Sequence, residues 1–71
     1  MKYFFVQKLD EQRKPVRMYI MTGKDRDDVV KKAAQLTLLK PFHTVSESHV
    51  DKADVDFFVN NQFAELLESA K

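Results

Sequence analysis

Cysteine and tryptophan are absent from this 71-residue chain, glycine occurs once and proline twice. Without cysteine there can be no disulfide, thiolate zinc site, iron–sulfur cluster or cysteine nucleophile. A single glycine leaves no glycine-rich loop to cradle phosphates, and two prolines make no proline-rich linker. No apolar run approaches the ~20 residues that cross a bilayer. The opening Tyr3-Phe4-Phe5-Val6 is cut short by Gln7 and Lys8, whereas a secretory signal needs roughly 7–15 apolar residues and a cleavage site of small residues. A large charge of one sign is missing too, because 12 basic and 11 acidic side chains leave a formal net of +1. Neither a disordered, like-charged tail nor a histone-like polycation fits that balance. The expectation is a soluble, cytoplasmic protein.

What is present is enough apolar surface for one core. Hydrophobic residues make up 44% of the chain, so residues 1–71 are expected to form a single domain. A domain of this length buries only about 60% of its unfolded surface. With disulfides excluded, association with another chain is the remaining way to reinforce it, and a homodimer or another protein partner is expected.

Residues 2–9 are aromatic and β-branched and read as a strand. Both of its faces are apolar, Phe4 and Val6 on one, Tyr3, Phe5 and Leu9 on the other, which places it centrally in a sheet. Asp10 to Lys14 form a polar turn closed by Pro15, and residues 16–22 alternate, with Val16, Met18 and Ile20 opposite Arg17, Tyr19 and Met21. The two strands predict an antiparallel hairpin. A first helix follows, capped by Thr22 with Asp25 three residues on, carrying the stripe Val29, Val30, Ala33, Leu36 and Thr37, and ending near residues 38–40 ahead of Pro41. Residues 42–50 read as a third, edge strand. Residues 53–70 read as a second helix capped by Asp51 or Asp54, with Val55, Phe58, Val59, Gln62, Phe63, Leu66, Leu67 and Ala70 on one stripe and Asp54, Asn61, Glu65 and Glu68 opposite. The fold class is α+β in the order β-β-α-β-α, with two helices packed on one face of a three-stranded sheet.

That arrangement leaves the other sheet face open. Arg17, Tyr19 and Met21 would point away from the helices, joined by one apolar set of the first strand, either Tyr3, Phe5 and Leu9 or Phe4 and Val6. Monomers rarely leave such a patch bare, so a partner-binding face is expected there, unless the helices lie on opposite faces. Phe57 is a second candidate anchor, since it lies beside Asn61, Ala64 and Glu68, opposite the stripe of its helix. Partner binding is therefore assigned to Tyr3, Phe5, Arg17, Tyr19, Met21 and Phe57.

Charge is uneven along the chain. Residues 1–24 carry a net of +4 and residues 25–71 a net of −3. A basic hairpin with Lys8, Arg13, Lys14 and Arg17, and Tyr19 among its aromatics, is the footprint of a nucleic-acid-binding module, although no recognised motif accompanies it. His43 and His49 lie six residues apart, about 20 Å along an extended strand, so one metal ion cannot take both without a sharp bend. Ser46 and Ser48 beside histidines make no nucleophile–base arrangement. Two packed layers also leave little room for a substrate pocket. The sequence thus points to a small interaction or regulatory module acting by stoichiometric binding, without enzyme activity, cofactor, metal, membrane contact or small-molecule substrate.

Overall fold

The computed structural model describes residues 1–67. At its centre β1 (Lys2–Leu9) and β2 (Pro15–Gly23) pair antiparallel, from Lys2 opposite Gly23 to Lys8 opposite Arg17. Asp10 builds the turn between them. Its carboxylate accepts from the backbone N–H groups of Gln12 and Lys14, both at 2.9 Å, while Arg13 takes a left-handed φ of 65°. The register then slips so that Leu9 faces Pro15, leaving Val16 as the extra residue of a bulge. Proline thereby occupies a strand end where no ladder donor is needed.

Pairing in this register makes a ribbon that is apolar on both sides. Phe4 and Val6 share one face with Tyr19 and Met21, while Tyr3 and Phe5 share the other with Met18 and Ile20. Neither face can be left to water, and each receives its own helix. On the first face α1 (Arg26–Ala34) contributes Val29 and Ala33, a 3₁₀ turn at Thr37–Leu39 adds Leu39, and β3 (Phe42–Val45) adds Val45. On the second, α2 (Lys52–Asn60) contributes Val55 with Phe58 and Val59 at its margin, and Val50 and Ala64 complete the cluster. β3 joins β1 antiparallel and β4 (Glu65–Leu67) joins β2 parallel, giving a four-stranded mixed sheet in the order β3-β1-β2-β4. No helix among the described residues is long and apolar enough to cross a membrane.

The α+β class expected from the sequence holds, and its details change. The sheet has a fourth strand, and the helices lie on opposite faces rather than one. The third strand stops at Val45, with Val50 touching Tyr3 only through an isolated bridge. The first helix is capped by Asp25, not Thr22, and the last ends at Asn60 instead of continuing toward residue 70. Ala70 and Glu68, assigned to that longer helix, lie outside the described residues. Asp51 does occupy the N-cap of α2, without a side-chain hydrogen bond to the helix.

A nine-residue helix such as α1 is marginal in isolation, so its ends and its buried face must hold it. Asp25 accepts from the Asp28 N–H at 2.9 Å. Asp28 reaches back to the Lys24 N–H at 3.0 Å and pairs with Lys32 at 3.2 Å. The Lys24 N–H first, and then Lys32, hold its carboxyl below the usual range. Gly23 lets the helix come this close to β2. A Cβ there would stand 2.7 Å from Val29 Cγ2 and 2.8 Å from Asp28 Oδ2, and Val29 is fully buried with nowhere to retreat. Gly23→Ala is accordingly expected to destabilise the fold by about 1–3 kcal/mol, the range for overpacking a tight core. Urea unfolding checks this: the midpoint should fall with an unchanged slope, and an unmoved midpoint would mean that α1 shifts freely.

Candidate interaction surface

The surface of interest is created by the way the chain leaves α2. Asn61 closes the helix, its side-chain amide donating to the Phe57 carbonyl at 2.8 Å. Gln62 then takes a left-handed φ of 61° and its N–H donates to the Val59 carbonyl, while the Phe63 N–H donates to the Phe58 carbonyl at 2.9 Å. These two bonds around a left-handed residue are the Schellman stop, which usually carries an apolar contact between the two residues joined by the longer bond. Here that contact is Phe58 with Phe63, ring centroids 6.0 Å apart.

The stop throws Phe63 outward and extends an aromatic array across the α2 end of the molecule. Phe58 is its hub, 4.9 Å from Phe5 on the sheet and 5.7 Å from Phe57, which in turn lies 6.0 Å from Phe63. Phe5 and Phe58 are half-buried, but Phe57 is 55% exposed and Phe63 60% exposed. Beside them runs an open cleft of about 680 Å³, lined by Val16, Arg17 and Met18 of β2 and by Phe63, Glu65 and Leu66 across from them. Val16 is 59% and Leu66 40% exposed. The cleft exists because β4 pairs only with residues 19–21 of β2, so the first half of β2 has no strand on that side among the described residues.

At the opposite edge of the sheet the end of β3 is capped. Arg26 reaches from the first turn of α1 and donates to the carbonyls of Val45, at 3.1 Å, and Ser46, also at 3.1 Å, with Glu47 3.7 Å away as its counter-ion. Ser46 is likewise committed to structure, since its hydroxyl accepts from the Phe5 N–H and donates to the Ser48 carbonyl.

Sequence reasoning assigned the partner surface to an open sheet face, and that face does not exist. Tyr19 and Met21 are buried in the core beneath α1, and Tyr3 and Phe5 are half-buried against the α2 cluster. Arg17 and Phe57 are exposed, Arg17 on the cleft wall and Phe57 in the aromatic array. Phe63, Leu66 and Val16 were missed. The first two fitted the apolar stripe of a longer helix, and Val16 fitted the buried side of an unbulged strand.

The basic hairpin residues are placed at one end of the molecule. Arg13 lays its guanidinium 4.8 Å above the Phe42 ring, a cation–π contact. Arg17, Lys8 and His43 stand opposite one another on β2, β1 and β3. Lys8, Arg13, Lys14 and Arg17 make no ion pair among the described residues. His43 sits at the end of this row, and partial burial, then the Lys8 charge, push its pKa below the usual imidazole value. His49 is exposed in the loop before α2. Among the described residues no three histidine or carboxylate side chains gather as a metal-ligand set.

Two outcomes are expected. Left-handed φ costs a non-glycine residue about 1–2 kcal/mol, and glycine's greater freedom in the unfolded chain returns part of the difference. Gln62→Gly should therefore stabilise the protein by about 0.5–1 kcal/mol in urea unfolding. His43 binds its proton more weakly folded than unfolded. Its contribution is thus intact above the unperturbed imidazole value of 6.5 and is lost as pH falls below it toward the folded value. Between pH 7.5 and 5.5, about one unit to either side of the unperturbed imidazole value, the wild type should lose more stability than His43→Asn. Parallel pH profiles would contradict this.

The chain matches no family model, no curated protein and no solved structure.

Proposed function

We propose that this chain is a protein-interaction module acting by stoichiometric binding rather than catalysis, and that it holds its partner at the cleft between β2 and β4. The observation that carries this reading is the exposure of Phe63, Val16 and Leu66 on the walls of one open cleft, with exposed Phe57 in ring contact with Phe63. Aromatic side chains ordered by contact with one another lose little entropy on binding and are common anchors of interfaces. The capping of the end of β3 by Arg26 supports the same assignment, since it obstructs part of the other sheet edge. The absence of cysteine agrees with a cytoplasmic setting.

A second reading is favoured by one specific feature, the in-register row of Arg17, Lys8 and His43. It makes the hairpin, with Arg13 and Lys14 at its tip, a binding site for a nucleic-acid backbone. The two readings differ in salt response: phosphate contacts weaken steeply because added salt lessens the gain from counterion release, and an apolar cleft contact does not.

The test places the photo-crosslinking residue benzoylphenylalanine at position 63, and at exposed Lys31 on α1 as the control, in the full chain in cells. Discrete protein adducts are expected from position 63 and not from position 31. Equal or absent adducts at the two positions would sink the binding reading.

A further inference from the structure

Resting on that interaction reading, the occupant of the cleft can be argued from its own walls. Arg17 stands on the β2 side and Glu65 on the β4 side of the same opening, and neither is ion-paired among the described residues. An interface between two copies related by a two-fold axis must be self-complementary, because every contact of one surface with the other occurs twice. A cleft walled by one sign of charge would repel its own copy. This one carries both signs, one to each wall, with the apolar side chains of Val16, Phe63 and Leu66 alongside them.

We infer that the cleft is the interface of a homodimer, in which Arg17 of each copy meets Glu65 of the other across a two-fold axis and the exposed phenylalanines close around it. The size of the chain points the same way. Its apolar residues are divided between two separate clusters, one on each sheet face, and each is small for a domain that has no disulfide. A standard interface takes about 800 Å² from each partner, roughly a sixth of the 5096 Å² that the chain exposes. One face of the molecule can supply that area.

The charge arrangement gives a test that only a self-complementary interface passes. In sedimentation equilibrium the wild-type chain is expected at twice its 8.3 kDa mass. Arg17→Glu alone puts two acidic walls together, and Glu65→Arg alone two basic ones. Each should be predominantly monomeric, with dimer affinity weakened at least about tenfold, as expected for like charges brought into contact at an interface. Mixed in equal amounts, the all-acidic and all-basic clefts complement each other at both contacts, and the dimer should return as a heterodimer of the two variants. Circular dichroism melts confirm that each variant is folded. A dimer-mass adduct from benzoylphenylalanine at position 63 reads the same interface without either charge change. A wild-type chain that stays monomeric at several hundred micromolar overturns the inference, and so does a mixture no more associated than its components. Foreign-protein adducts at position 63 from a monomeric chain would overturn the homodimer while keeping the interaction reading, and the absence of any adduct there would remove both.

Discussion

The β1–β2 ribbon is hydrophobic on both sides, and the rest of the architecture answers to that. Phe4, Val6, Tyr19 and Met21 on one face and Tyr3, Phe5, Met18 and Ile20 on the other would each leave a bare apolar surface if all the helical material went to one side. A short chain has two helices to spend on the problem, one per face, and each is only nine residues long. The result is a core in two halves separated by the sheet. Each half depends on a few fully buried side chains, Val6, Val29 and Leu39 on one side and Ile20 and Val55 on the other. Neither helix is long enough to be stable without that contact. This is why close fitting at single points, such as Gly23 under Val29, has leverage over the whole fold.

The hairpin was legible because strand periodicity and a polar turn coincide, with Pro15 at a position where its missing donor does no harm. The cover was not legible, because period-2 alternation separates two faces without saying which one a helix will take. The two-sided apolar character of residues 2–9 was the available signal. It was correctly read as marking a central strand, and it should also have required a helix on each side. Assigning both helices to the Val16, Met18 and Ile20 face turned Tyr19 and Met21 into surface residues when they are core.

The end of α2 was hidden for a different reason. Helices are usually stopped by glycine or proline, and residues 60–64 contain neither. Gln62 adopts the left-handed conformation instead, held there by two backbone bonds and a ring contact that no propensity scale records. Phe63, Leu66 and Leu67 continue a helical stripe as well as they suit a turn and a strand, so periodicity could not separate the alternatives. The candidate site is built from the residues affected by this error. Of its exposed side chains, Arg17 and Phe57 were visible in the sequence, while Phe63 and Leu66 became visible only when the chain was seen to turn.

The two flanks of the sheet also differ in a way that bears on how far association can proceed. Arg26 occupies the Val45 and Ser46 carbonyls at the end of β3, whereas the first half of β2 has no strand on its outer side among the described residues. Filaments and aggregates of sheet proteins need two usable flanks, one to receive each new molecule and one to offer to the next. A guanidinium across the end of β3 shortens the edge that this flank can offer. Joined through the β2 flank, the molecule would offer a further copy only the short remainder of β3.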